Sequence, residues 1–132
     1  MITKEELIDL VRDPSPLKGY GEYPNGQPNC LSIVRWAYER CGVKLPSDYL
    51  LFLAEFRKIK EDTKPEFLDA IAICLRFPFV DHIGICLGDG KFIHAGRKAG
   101  VVINRLDDES LSPRFAGFMR HRKRDEWMRL SQ

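Results

Sequence analysis

A thiol and two imidazoles are the groups in this chain whose types and spacing allow nucleophilic chemistry. They are Cys30, His82 and His94. A cysteine nucleophile needs a base within hydrogen-bond reach and a third group that orients the base. Cys30 follows Pro28 and Asn29 and opens the stretch Leu31-Ser32-Ile33-Val34-Arg35-Trp36-Ala37-Tyr38-Glu39-Arg40-Cys41-Gly42. Asn29 is a good N-cap, Pro28 blocks an earlier start, and Gly42 supplies a left-handed stop, so the stretch predicts a helix with Cys30 in its first turn. A thiol there sits near the positive end of the helix dipole, which favours thiolate. The same position is also where an ordinary buried cysteine occurs, and helix position alone does not decide between the two.

The histidines allow a sharper test, because both lie in strand-like runs flanking Gly88-Asp89-Gly90. A two-residue turn at Asp89-Gly90 would put His82 and His94 on opposite sides of the sheet. A three-residue loop with Gly90 left-handed in a bulge pairs Leu87 with Lys91 and sets Gly84 opposite His94. His82 is then a diagonal neighbour on the same face, roughly 7–8 Å away. A catalytic pair requires the bulged register. A histidine in a strand is ordinarily a half-buried residue with its bonds made, so residue types alone leave both readings open. His121 lies beside a basic tail and reads as a surface residue.

The elements that must position these groups follow from the periodicity. Thr3-Lys4-Glu5-Glu6 is a capping box opening a short helix with Leu7, Ile8, Leu10 and Val11 as its buried stripe. The Gly- and Pro-rich segment from Leu17 to Pro28 is an ordered loop carrying Tyr20 and Tyr23. After the Cys30 helix, Ser47-Asp48 caps a further helix over about Tyr49 to Ile59. From Ala70 the period becomes that of strands: Ala70 to Leu75, buried on both faces; Phe77-Pro78-Phe79-Val80, ended by Pro78; Asp81 to Leu87; Lys91 to Ala95; Val101 to Leu106; and Arg114 to Arg120. Helices first and an antiparallel meander afterwards make an α+β domain. Its N-terminal helices, the Cys30 helix among them, pack on a C-terminal antiparallel sheet of about five strands.

Composition narrows the classes. The 132 residues suit one domain over 1–132, with 44% apolar and 30% charged residues. A formal charge of +2 and a pI near 8.4 are too mild to imply nucleic acid. No apolar run approaches the roughly 20 residues of a membrane span. The start, Met1-Ile2-Thr3-Lys4-Glu5-Glu6, has no apolar core of a signal peptide, and with the free thiols the expectation is a reducing, cytoplasmic compartment. Cys30 and Cys41 on one helix would lie roughly 16 Å apart, too far for a disulfide. Cys74 and Cys86 lack paired C-x-x-C spacing, so a zinc site is not expected.

Tyr20-Gly21, Gly26, Asn29-Cys30 and Gly42-Val43-Lys44-Leu45-Pro46, with Asp81-His82-Ile83-Gly84-Ile85-Cys86-Leu87-Gly88-Asp89-Gly90-Lys91-Phe92-Ile93-His94-Ala95, resemble the NlpC/P60 cysteine peptidases. Gly100-Val101-Val102-Ile103 and Phe115-Ala116-Gly117-Phe118 also fit, and are similar to the phage-tail-associated branch. The resemblance covers about Pro16 to Arg120. It implies a papain-like fold, with Cys30 as nucleophile, His82 as general base, His94 as the group orienting His82, and Tyr20 with its hydroxyl near the thiolate. It further implies hydrolysis of an amide bond in murein stem peptides, often γ-D-glutamyl–diaminopimelate, without metal or cofactor. Asn29, Leu31 and Ser32 stand where the family has Asp, Ser and Gly, on the wall that contacts substrate. Three readings follow: a cell-wall amidase or endopeptidase, a cytosolic thiol amidase or acyltransferase on another γ-glutamyl or acyl substrate, and a non-catalytic binding or phage-tail module. Retention of Cys30, His82 and His94 together speaks against the last.

Overall fold

A computed structural model describes residues 1–76 and 80–130. The expected strand end at Pro78 lies outside the described residues. Helix α1 spans Lys4–Arg12 and begins with the expected capping box, in which Thr3 and Glu6 satisfy each other's backbone amides. Only Leu7 and Leu10 of its stripe are buried; Ile8 and Val11 are exposed, because nine residues present one narrow face to the sheet. A short 3-10 turn, Ser15–Leu17, leads into the Gly/Pro-rich loop. Helix α2 spans Ser32–Glu39, α3 spans Tyr49–Ala54 and α4 spans Arg124–Leu130.

Six strands form one antiparallel sheet: β1 (Phe56–Lys58), β2 (Ala70–Ile73), β3 (His82–Cys86), β4 (Lys91–Gly96), β5 (Gly100–Arg105) and β6 (Phe115–His121). Their order is β1-β6-β2-β3-β4-β5. The expected meander is therefore confined to β2 through β5. β6 returns across the sheet and lies between β1 and β2. β1 replaces the end of the expected Tyr49 to Ile59 helix. Asp48 caps that helix as anticipated, accepting from Leu50 N and Leu51 N, but it stops at Ala54, and Phe56, Arg57 and Lys58 pair with His121, Arg120 and Met119.

Both faces of the sheet are covered. On the first, Ile33, Val34 and Ala37 of α2 join Ala70, Ala72, Ile83, Ile85, Ile93 and Ala95 in the main core. On the second, Ile71, Ile73, Cys86 and Phe92 pack against Leu106, Leu111, Phe115 and Phe118. All four residues of β2 are buried, as the apolar run implied. His121 is buried too, contrary to its reading as a surface residue. Its ring meets Tyr38 and Phe56, its Nε2 lies 3.1 Å from Glu55 Oε1, and its Nδ1 accepts from Lys123 N.

A buried ion pair clips the start of β2 to β6. Asp69, fully buried, accepts from Arg120 Nε at 2.9 Å and Arg120 Nη2 at 2.8 Å, and from Glu66 N at 2.7 Å. Its backbone carbonyl takes Cys86 N–H at 2.7 Å, so the same residue anchors β3. Leu68, just before it, holds a left-handed backbone at φ 74. That costs a non-glycine residue on the order of 1 kcal/mol, and burial of its side chain with bonds at both its N–H and its carbonyl over-determines it.

Candidate active site

The hairpin adopts the bulged register that a catalytic histidine pair requires. Leu87 N donates to Lys91 O, Gly90 is left-handed at φ 82, and Gly84 lies opposite His94. His82 and His94 thus share the face opposite the helices, and the diagonal offset brings His82 Nε2 within 2.8 Å of His94 Nδ1. The space over Gly84 is taken by Phe92 and Ile71, whose side chains would stand 3.0 and 3.1 Å from an added Cβ. Phe92 in turn stacks on His94, with ring centroids 5.0 Å apart and planes 26° from parallel. Hydrophobic packing thereby fixes the plane of the second imidazole.

The bonded chain continues to residues that sequence reasoning did not single out. His94 Nε2 lies 2.7 Å from Asn104 Oδ1, and Asn104 Nδ2 donates to Asp108 Oδ2 at 3.4 Å. Asn104 pairs with Phe92 and Val102 with His94. Asn104 therefore projects on the histidine face one diagonal step along. The signal available in the sequence was a polar residue placed at that step in a strand of Val and Ile.

Cys30 comes from the helix side of the sheet. The β3–β4 ladder ends at Gly84 and His94, and the next amide on β3, Ile83 N–H, lies near enough to the Cys30 sulfur to favour its ionised form, as does the cysteine's own N–H. His82 is the residue immediately before that amide. The thiol and the imidazole pair approach from opposite faces and are placed at the same strand end.

The local structure around Cys30 differs from a simple helix start. α2 begins at Ser32, and Cys30 lies in the turn before it. Asn29 Oδ1 accepts from Leu31 N at 3.0 Å, while Ser32 donates to Asn29 O through N at 3.1 Å and Oγ at 2.7 Å. Asn29 thus builds the turn rather than facing substrate, with Gly21 so close that an added Cβ would fall 2.7 Å from its amide. Ser32 is fully buried and Leu31 belongs to the main core, so neither forms the outer wall implied by their positions. Tyr20 is also elsewhere: its hydroxyl donates to Glu39 at the far end of α2. The tyrosines within electrostatic reach of the sulfur are Tyr23 and Tyr49. Tyr23 lies under the Arg97 guanidinium at 5.1 Å, and Tyr49 donates to Val80 O at 2.8 Å.

Burial governs the charge state. It pushes the Cys30 thiol up, and the Ile83 and Cys30 amides offset this only in part. The depressed thiol expected from the helix dipole is therefore not what the fold produces. Two amides of the turn are already bonded to Asn29, and the dipole of an eight-residue helix does not outweigh desolvation. Burial, and then the neighbouring His94, push His82 down to about 4, against the opposing charge of Asp81. Burial also lowers His94, although Asn104 works the other way. Asp81 stays ionised: burial would raise it, but Arg76 and the Leu75 and Arg76 amides hold it below the usual carboxylate range. At neutral pH the thiol is uncharged and so are both imidazoles. Among the described residues no cluster of His, Cys, Asp or Glu is arranged to hold a metal ion.

This charge state has a cost in acid. An unfolded histidine takes up a proton near pH 6.5, whereas folded His82 resists protonation until about 4. Between those values the unfolded state binds more protons, so stability present above pH 6.5 drains away as the pH falls. Two and a half units correspond to about 3 kcal/mol. Unfolding free energies from urea titrations at pH 7 to 4 should fall by that amount, and a His82→Gln variant should lose much of the dependence. A flat profile for the intact protein would sink this assignment.

Against known proteins, the pattern of the NlpC/P60 family matches residues 19–120. No curated protein matches the chain. Among solved structures, an NlpC/P60 family protein from Bacillus cereus is similar at 20% identity and a TM-score of 0.65, covering 91% of this chain and 40% of the other. A lipoprotein-like NLP/P60 protein from Staphylococcus aureus gives 20% identity and 0.61, with 89% and 42% covered. The NlpC/p60 domain of the peptidoglycan hydrolase SagA gives 15% and 0.52, with 89% and 97% covered. The chain thus spans less than half the length of the first two.

Proposed function

The chain belongs to the NlpC/P60 family, and from that premise we propose that it is a thiol hydrolase cleaving an amide bond in bacterial cell-wall stem peptides, of the γ-D-glutamyl–diamino acid type. The observation that carries the reading is the bonded His82–His94 pair, with His82 directly before the residue whose amide lies near the Cys30 sulfur. The similarity to the SagA domain supports the substrate class. Cys30 Sγ attacks the amide carbonyl, forming a C–S bond as its proton passes to His82. The tetrahedral oxyanion collapses, the C–N bond breaks, and His82 returns the proton to the leaving amine. Water, deprotonated by His82, then cleaves the thioester and releases the acid. The Cys30 and Ile83 N–H groups favour negative charge on the sulfur.

Incubation with purified murein sacculi tests the proposal. Soluble muropeptides carrying newly freed amines are expected, and iodoacetamide that labels Cys30 should stop their release. Hydrolysis of small γ-glutamyl amides without any action on sacculi would overturn the substrate class. No hydrolysis of either, with Cys30 alkylated no faster than Cys74, would overturn the enzymatic reading and leave a binding module.

A further inference from the structure

His94 is bonded at both nitrogens, and an imidazole does not by itself dictate which way those bonds run. We propose that Asn104 and Asp108 are positioning residues that fix the tautomers of both histidines, so that Nδ1 of His82 is left bare to receive the thiol proton. The purpose of this device rests on the thiol-hydrolase reading; the tautomers are a property of the resting protein.

The argument starts from Asp108. Its Oδ1 accepts from Ser110 N at 2.9 Å and Ser110 Oγ at 2.6 Å, and these bonds hold its carboxyl below the usual carboxylate range. A carboxylate only accepts. The amide group 3.4 Å from its Oδ2 must therefore be Nδ2 of Asn104, since the reversed amide would set oxygen against oxygen. Asn104 Oδ1 is left facing His94 Nε2 at 2.7 Å and accepts only from an N–H. His94 accordingly carries its proton on Nε2, and in a neutral ring its Nδ1 is then bare. That bare nitrogen lies 2.8 Å from His82 Nε2, which must supply the proton of this bond. Neutral His82 is thus the Nε2–H form, with its lone pair at Nδ1.

Every bond in the series points the same way, from His82 through His94 and Asn104 to Asp108. When His82 takes the thiol proton, the new positive charge appears at one end of an aligned series with a carboxylate at the other. Aligned bonds polarise one another, which favours the imidazolium during the reaction without charging the site at rest. The strand register makes this possible, because Phe92 opposite Asn104 and Val102 opposite His94 set the diagonal step between amide and ring.

Long-range proton–nitrogen correlation spectra of the intact, histidine-labelled protein read the tautomers directly. At neutral pH both His82 and His94 are expected as Nε2–H forms. Asp108→Asn permits the Asn104 amide to turn and should give His94 a substantial Nδ1–H population. Asn104→Leu should do the same and slow alkylation of Cys30 about tenfold or more, the worth of one charge-assisted hydrogen bond. Asn104→Asp, still an acceptor, should restore the Nε2–H signature. An Nδ1–H form of His94 in the unmodified protein overturns the inference even if sacculi are hydrolysed. So do unchanged tautomers and alkylation in both Asn104→Leu and Asp108→Asn. The expected tautomers in a protein that hydrolyses nothing would instead remove the proposed function and leave the hydrogen-bond order standing.

Discussion

Replacing His82 with alanine is expected to lower hydrolysis by about 10²–10⁴-fold, the usual worth of a positioned general base. Cys30→Ala is expected to bring it to background. The loss at His82 should be near the upper end, because burial pushes the Cys30 thiol up and little thiolate exists without a base to draw off its proton. The pH dependence carries the same information. With His82 held at about 4, kcat/KM should stay high through mildly acidic solution and fall only as the pH approaches that value. The groups that set this limb are His94, which lowers it, and Asp81, which raises it. Steady-state rates across pH, taken where urea titration shows the protein folded, check the prediction. His82→Gln, which keeps the shape of the side chain, guards against misreading a folding defect. A limb at 6 to 7, or an active His82→Ala, would remove His82 from the role of base.

The second large effect concerns stability. Asp69→Ala should destabilise the fold by about 3–5 kcal/mol, the range for removing one member of a buried pair. The bidentate bond from Arg120 would be lost, the 13%-exposed guanidinium would keep, among the described residues, only Glu66 as a carboxylate partner at 3.2 Å, and Glu66 N would lose its acceptor. Arg124 amplifies the loss: its Nε is buried without a hydrogen bond and lies 3.9 Å from Asp69 Oδ1. Because Asp69 O also receives Cys86 N–H, weakening this corner loosens the strand that carries His82. Urea unfolding followed by tryptophan fluorescence measures the change. A loss below about 1 kcal/mol would show that the pair is as dispensable as an exposed one. Replacing Asp69 and Arg120 together by apolar residues should cost less than Asp69→Ala alone.

What could be read from the sequence divides along physical lines. The histidine pair was legible because a three-residue glycine loop fixes the hairpin register within a few residues of both rings. The capping box of α1 and the Asp48 cap of α3 were legible for the same reason, since each is settled within one turn. β1 was not. Phe56 continues the apolar spacing of the preceding helix, and only the return of β6 draws it into a strand. His121 looked superficial among basic neighbours because its burial depends on Tyr38 and Phe56, far away in sequence. Around Cys30 the residue types suggested an activated thiol, and the family resemblance implied a substrate-side Leu31 and Ser32. The fold spends the local amides on Asn29 and turns both side chains inward. Asn104 escaped notice because its partner lies one strand away and its orientation is set by a turn beyond the strand end.

The place of β6 between β1 and β2 has a consequence for how the chain acquires its shape. β2 through β5 are joined in succession, so the hairpin that unites His82 and His94 needs only nearby residues and belongs to the fast part of assembly. Among the described residues β1 pairs with β6 alone, and until β6 arrives β2 presents a wholly apolar strand with one unsatisfied edge. Completion of the sheet therefore depends on β6, whose pairings with β1 and β2 span larger sequence separations than those between the other strands.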